Sequence, residues 1–171
     1  MPKTQACWVY KGFSVKMNIL ITGGTGYVGS SIAVEVLKAY PEHNITIIDD
    51  MIRGNNIEQL NYYNGKIDLI KKNLENLKQG ELKSYNFDIV IHCAASAYVG
   101  ESEKIPQLYL NRNTLATTQL LNSLNFETLK KFIFSSTCAV YGNHLGEITE
   151  NISLNPTSPY GWSKLISENI I

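Results

Sequence analysis

From Met17 onward, short apolar runs alternate with stretches of helical spacing. Asn18–Thr22, with apolar Ile19, Leu20 and Ile21, predicts a strand, and a glycine-rich turn follows at once. Val28, Ile32, Ala33, Val36 and Leu37 then recur at the period of a helix and predict one buried stripe, which Pro41 ends. Residues 45–49 are rich in β-branched side chains and predict a second strand. Residues 67–70 and 87–92 predict a third and a fourth strand, with a weaker helical stretch at 75–84 between them. Pro106 opens a longer helix whose apolar face is expected to include Leu110, Leu115, Leu120, Leu121 and Leu124. Residues 132–135 predict a fifth strand. A polar loop with Pro156 and Pro159 then leads to a last helix, from about Tyr160 to the end.

Strands that are apolar on both faces and separated by helices imply an α/β fold, a doubly wound parallel sheet covered on both sides. The predicted domain is 17–171, and residues 1–16 read as an upstream extension to which the sequence assigns no role. The chain stops inside a helix, where a doubly wound sheet normally adds another strand. The expectation is therefore a dinucleotide-binding domain truncated before a substrate domain.

Composition narrows the classes. Apolar residues make up 44% and charged residues 18% of the 171, the balance of a folded globular chain. Fifteen basic residues offset fifteen acidic ones without a basic block, which argues against nucleic acid and membrane surfaces as partners. No apolar run approaches the roughly 18 residues that span a bilayer. The first sixteen residues carry Lys3, Lys11 and Lys16 but no apolar core of a signal peptide. Cys7, Cys93 and Cys138 are odd in number and widely spaced, fitting neither a disulfide framework nor a zinc site. A reducing, cytoplasmic setting follows, and the acceptor-like triplets at Asn44 and Asn151 are read as accidental.

The turn at residues 22–29 places Gly23, Gly26 and Gly29 between a strand and an amphipathic helix. Glycine permits the sharp turn and lets a pyrophosphate approach the free N–H groups and positive dipole end of the helix. The second strand ends in Asp49 and Asp50. A carboxylate there accepts hydrogen bonds from ribose hydroxyls and repels a 2′-phosphate, which favours NAD over NADP. Arg53 lies nearby and is read as a solvated loop residue.

The fifth strand runs out into Ser135, Ser136 and Thr137, and Tyr160 and Lys164 follow downstream, four residues apart and so on one helix face. A lysine cation beside a tyrosine favours the phenolate, the form that acts as a general base near neutral pH.

Together these residues resemble the extended short-chain dehydrogenase/reductase family, the NAD-dependent epimerases and dehydratases, and within it the nucleotide-sugar 4-epimerases. The resemblance runs from Met17 to Ile171. It rests on the Thr-Gly-Gly-Thr-Gly-Tyr-Val-Gly turn, the 91–95 strand end, Val-Gly-Glu-Ser at 99–102, residues 134–142 and residues 159–164. It implies Thr137 as the catalytic hydroxyl, Tyr160 as the base and Lys164 as a catalytic and cofactor-ribose residue. It also implies cofactor contacts from Gly23, Gly26, Tyr27, Val28, Gly29, Asp49, Asp50, Asn73, Leu74, Cys93, Ala94, Ala95, Ala97, Tyr160 and Lys164.

Three departures stand out. Ala97 replaces a lysine frequent in UDP-glucose 4-epimerases, and the surrounding segment looks closer to bacterial and UDP-arabinose 4-epimerases. A cofactor-contacting asparagine of the family falls on Arg112, flanked by Asn111 and Asn113, and no role is assigned among the three. The C-terminal substrate-binding portion is absent. Cys138 and Ala139 follow Thr137 where 4,6-dehydratases carry an acid pair, which argues against elimination of water.

The function implied is a UDP-sugar 4-epimerase with tightly bound NAD, of the kind that serves galactose metabolism. The resemblance also implies homodimerisation through the helices after Pro106 and at Tyr160. A non-catalytic NAD-binding module is the alternative, as is a reductase or dehydratase of the same family. His92 reads as a packed core residue, and His43 and His144 have no partner at metal spacing.

Overall fold

The computed structural model describes residues 15–53, 56–61 and 65–171. Most of the proposed extension, with Cys7, Lys3 and Lys11, lies outside the described residues. Five strands, β1 (Asn18–Thr22), β2 (Asn44–Asp49), β3 (Ile67–Lys71), β4 (Ile89–His92) and β5 (Lys131–Phe134), form one parallel sheet of order β3-β2-β1-β4-β5. The order reverses at β1, which is flanked by β2 and β4, so a crevice opens at the C-terminal ends of these strands.

Helix α1 (Tyr27–Ala39) covers one face. Its Ala33 and Leu37 pack with Ile19, Ile21, Ile45 and Ile47. The other face receives α5 (Ala116–Ser123), whose Ala116 and Leu120 pack with Leu20, Ile48 and Val90. Between these helices in the chain lie α2 (Ile57–Asn61), α3 (Val99–Lys104) and α4 (Pro106–Tyr109), and α6 (Pro159–Ile170) closes the described chain. Fully burying each central Ile or Leu contributes roughly 1.5–3 kcal/mol, so β1 and β2 anchor the fold.

Several expectations are corrected. The stretch at 75–84 is two short 3₁₀ turns, Leu74–Asn76 and Lys83–Tyr85, the first capped by Asn73 Oδ1 accepting from Glu75 N–H at 2.9 Å. The long helix after Pro106 is α4, a π-helical segment at Leu110–Leu115 and α5 in series. Leu110 and Leu115 lie on its exposed side, while Tyr109, Asn113, Ala116, Thr117 and Leu120 face inward at three- and four-residue spacing. Val28 is likewise exposed, and Gly29 and Ser30 take the buried place at the start of α1.

The sheet is not covered on both faces throughout. On β3 Leu69 is exposed, and on β5 Ile133 is 49% exposed. Cover is thin on the α1 side of β4 and β5, where Ile89 and Ile91 are only partly buried. No helix among the described residues is long and apolar enough to cross a membrane.

Candidate active site

A cavity of about 350 Å³ opens at the strand C-termini. Gly23, Gly26, Tyr27, Val28 and Gly29 form its floor, with Asp49 and Asp50 at the end of β2. Asn73 and Leu74 come from the 3₁₀ turn, and Cys93, Ala94, Ala95 and Ala97 from the segment leaving β4. Every cofactor contact expected from sequence except Tyr160 and Lys164 therefore meets in one place.

The glycine turn has a steric cause. Gly23 adopts φ +66°, and a Cβ there would stand 2.7 Å from the Ala94 backbone. A Cβ on Gly29 would lie 2.4 Å from the Gly23 carbonyl oxygen, so the first turn of α1 seats directly on the loop. Gly26, the N-cap, offers no side-chain cap, which leaves the first N–H groups of α1 directed at the cavity. This cradle, too tight for any side chain, fits the diphosphate of a dinucleotide.

Asp49 is held in place by two backbone donors. Its Oδ2 accepts from Thr25 N–H at 2.9 Å and its Oδ1 from Met51 N–H at 2.7 Å. Each oxygen keeps a lone pair for a ribose hydroxyl. Met51 adopts φ +62°, turning the chain sharply after Asp50.

Five further residues line the cavity: Arg53, Ser96, Tyr98, Arg112 and Ala116. Arg53 is not a free solvated side chain. Its Nη2 donates to Glu101 Oε2 at 2.5 Å, and its guanidinium lies 5.2 Å from the Tyr98 ring centroid. The buried Tyr109 hydroxyl lies 2.6 Å from the same Glu101 oxygen. Hydrogen bonds from Tyr109 and then Arg53 hold the Glu101 carboxyl below the usual carboxylate range. The signal for Arg112 and Ala116 was present in the sequence as a four-residue spacing. It was obscured by the leucines, which pointed to a different face of that helix.

Thr137, Tyr160 and Lys164 do not line this cavity. They belong to an adjoining unit built where β5 runs out. Thr137 caps the 3₁₀ turn Cys138–Tyr141, its Oγ1 accepting from Ala139 N–H at 3.2 Å, so its own proton is free to be donated elsewhere. Pro159 begins α6, with Ser158 Oγ accepting from Gly161 N–H at 3.1 Å. A Cβ on Gly161 would stand 2.8 Å from the Ala139 carbonyl oxygen, so the Tyr160 helix sits against the Thr137 turn. Ser136 Oγ also donates to the Glu168 carboxylate of α6.

Tyr160 is nearly buried, its ring edge-on to Tyr109 at 6.2 Å. Lys164 is 2% exposed, and its Nζ lies 4.0 Å from the Phe134 ring centroid. Burial pushes the Lys164 ammonium down to about 8, partly offset by the nearby Cys93 and Glu168. Burial pushes the Cys93 thiol up, against the opposing influence of Lys164, so this cysteine faces both the cavity and the lysine.

A buried polar chain joins the two units. Thr117 Oγ1 donates to the Asn113 carbonyl at 2.7 Å, which uses its one proton. The 2.8 Å contact with His92 Nε2 therefore has the imidazole donating. His92 Nδ1 then accepts from Thr22 Oγ1 at 2.6 Å, and Thr22 Oγ1 accepts from Ala94 N–H at 3.3 Å. Burial, with the Lys164 charge, pushes His92 down to about 3, so it is neutral here. This agrees with the core role expected of it. Asn113 continues the chain. Its Oδ1 accepts from Ser96 N–H, and its Nδ2 donates to Ser96 O and Ser163 Oγ at 2.8–3.0 Å. Asn111 is exposed, Arg112 faces the cavity and Asn113 is structural, which separates three residues the sequence left undivided. Among the described residues no group of His, Cys, Asp or Glu could hold a metal ion.

A parallel sheet that reverses order at a glycine turn, with a helix N-terminus opening on a cavity there, defines a dinucleotide-binding α/β protein. The chain belongs to the NAD dependent epimerase/dehydratase family, whose model matches residues 19–171. It is 38% identical over 162 residues to a putative UDP-arabinose 4-epimerase 4 of Arabidopsis thaliana, covering 90% of this chain and 37% of that one. Among solved structures, the UDP-Glc/GlcNAc 4-epimerase of Campylobacter jejuni superposes with a TM-score of 0.82 at 36% identity, over 90% of this chain and 47% of that chain. The UDP-glucose-4-epimerase of Stenotrophomonas maltophila, solved with bound NAD and formylated UDP-arabinopyranose, gives 0.79 at 30% identity, over 90% and 47%. The chain thus spans less than half the length of these relatives.

Proposed function

We propose that this chain carries the NAD site and the proton-transfer residues of a UDP-sugar 4-epimerase. The observation that carries the reading is the convergence of the glycine turn, Asp49, Asn73 and the 93–97 segment on one cavity, beside the Thr137–Tyr160–Lys164 unit. NAD, when bound, supplies a reversible hydride acceptor for carbon 4 of the sugar. The uncapped start of α1 and the glycine cradle hold its diphosphate, and Asp49 its ribose. Tyr160 Oη takes the proton of the sugar's 4-hydroxyl while Thr137 Oγ1 donates a hydrogen bond to the same oxygen. Once the sugar has turned and carbon 4 has regained its hydride on the opposite face, Tyr160 returns the proton to the 4-oxygen, which leaves carbon 4 inverted. Lys164 holds a cation in the apolar wall beside Tyr160, where it can meet a ribose hydroxyl.

Tyr160→Phe in a protein that also carries the sugar-nucleotide pocket is expected to lose on the order of 10²–10⁴-fold in turnover. Unchanged turnover would remove Tyr160 from the mechanism. For this chain by itself the expectation is NAD binding without conversion of UDP-galactose, and measured conversion would overturn that part. Pairing between copies is supported by exposed apolar side chains on the two helices concerned, Leu110 and Leu115 on one, Trp162 and Ile166 on the other. A monomer by sedimentation at high concentration would argue against it. The free thiols Cys93 and Cys138 suit a reducing cytoplasmic setting.

A further inference from the structure

We propose that Glu168 is a positioning residue of the proton-transfer unit: fixed by Ser136, its carboxylate balances the buried Lys164 ammonium beside Tyr160, an inference that rests on the epimerase reading above. Tyr160, Lys164 and Glu168 follow one another at four-residue intervals on α6 and so form one row along the helix. Exposure rises at the end of that row. Tyr160 and Lys164 are buried, and Glu168 is half-buried. The acid stands at the wet end, where its carboxylate escapes most of the cost of burial, while its field reaches the ammonium one turn away.

That position is otherwise a poor one for an acid. Glu168 lies in the last turn of α6, where the negative end of the helix dipole opposes a carboxylate. A lysine followed four residues later by a glutamate is also the weaker orientation of such a pair on an isolated helix. What holds the side chain comes from outside the helix, since Ser136 Oγ donates to Glu168 Oε1. Ser136 stands between Phe134, whose ring centroid is 4.0 Å from Lys164 Nζ, and Thr137, which caps the next turn. One hydroxyl therefore ties the acid to the strand exit that supplies both the apolar wall of the lysine and the hydroxyl of Thr137.

Lys164 is in none of the ion pairs among the described residues. Burial pushes it down to about 8, and Cys93 and Glu168 act the other way. Its ionisable neighbours are His92 on β4, Cys93 on the segment leaving β4, and Tyr160 and Glu168 on α6. His92 is neutral, and burial pushes the Cys93 thiol up, so it stays protonated at pH 7. On the other elements packed against α6, Glu101 is bound to Arg53, Tyr109 meets the Tyr160 ring edge-on, and Arg112 lines the cavity. Glu168 is thus the acid that offsets the cost of the buried ammonium. A neutral lysine would leave Tyr160 with no cation to favour the phenolate.

The test is an NMR titration of Lys164 in the chain carrying isotopically labelled lysine, its signal assigned by loss in Lys164→Met. The unsubstituted midpoint is expected near 8. Glu168→Gln, which keeps an acceptor for Ser136 and removes the charge, should lower the midpoint by roughly 0.5 pH units or more. Glu168→Asp should recover part of that fall. Ser136→Ala, which releases the carboxylate to solvent, should give a smaller fall in the same direction. These two variants carry the comparison if Glu168→Gln fails to fold. A midpoint that none of the three moves overturns the proposal. Melting temperatures lowered in Glu168→Gln and Ser136→Ala with the midpoint fixed overturn it too, because the contact is then structural only. Calorimetry of the unsubstituted chain with NAD checks the epimerase reading separately. Absence of binding overturns that reading, and the positioning role with it, whatever Lys164 does.

Discussion

The two halves of the sheet are finished to different degrees. Around β1 and β2 both faces are buried, Leu20, Ile21, Ile47 and Ile48 are fully enclosed, and at Gly23 and Gly29 the cavity is bounded by backbone that leaves no room for a Cβ. Around β4 and β5 one face is partly open, Ile133 meets solvent, and α6, which carries Tyr160 and Lys164, is tied to the loop leaving β4 through Asn113. The half that holds the cavity is thus organised by steric exclusion, and the half that holds Tyr160 and Lys164 by hydrogen bonds and one buried cation. Steric organisation is complete within the chain. The other kind leaves a buried charge at Lys164 and apolar surface exposed at Ile133.

The largest expected effect tests the steric half. Gly29→Ala drives a methyl to 2.4 Å from the Gly23 carbonyl oxygen, where only backbone can yield. The variant should lose about 2–4 kcal/mol in urea unfolding and all measurable NAD binding. Retained NAD affinity would mean that the loop can open, and the contrast between rigid and adaptable halves would fall.

Lys164 tests the other half, with the opposite sign. Its folded value is about 8 against 10.5 for a free lysine, so the fold releases a proton between those values. Below pH 8 the folded state carries the full cost of a buried charge. Stability should therefore rise from pH 8 toward 10.5. Lys164→Met, which keeps the apolar stem, should stabilise the chain by about 1–3 kcal/mol at pH 7, the gain shrinking as pH passes 8. A destabilised variant at pH 7 would show that the ammonium is held by more than the Phe134 ring.

His92 sharpens the account from the acid side. Its value is about 3 when folded and near 6.5 when unfolded, so the unfolded chain binds the extra proton across that window. Stability should fall as pH drops from 6.5 toward 3, at up to about 1.4 kcal/mol per pH unit from this residue. His92→Gln should flatten the slope between pH 6 and 4, measured by unfolding at each pH. An unchanged slope would assign acid lability to other groups.

Legibility in the sequence followed the same division. The strands, the glycine turn and the place of Asp49 at the end of β2 were readable because backbone sterics and strand hydrophobicity act locally. Tyr160 and Lys164 were readable as a four-residue pair on one helix, and Thr137 as a strand exit. What they would touch was not, since Lys164 lies against Phe134, a residue 30 positions away. Arg53 looked solvated because its partner Glu101 is 48 residues on. Leu110 and Leu115 suggested the wrong inward face after Pro106. The inward positions there include Asn113 and Thr117, polar residues that burial tolerates because Asn113 pairs with Ser96 and Ser163 and Thr117 accepts from His92.

The smallest effect compares one residue from each half. Ile47 on β2 is fully buried, whereas Ile133 on β5 is half exposed on the thinly covered face. Ile47→Val removes one methylene from a filled space and should cost about 0.5–1.5 kcal/mol. Ile133→Thr keeps the β-branched shape that suits a strand and exchanges an ethyl group at a wet surface for a hydroxyl. It should change stability by no more than about 0.5 kcal/mol. Urea midpoints of the two variants, measured side by side, decide the matter. If Ile133→Thr costs as much as Ile47→Val, the β5 face is covered in solution, by a second copy or by residues outside those described. Repeating the measurement across protein concentrations separates these, because only cover by a second copy depends on concentration.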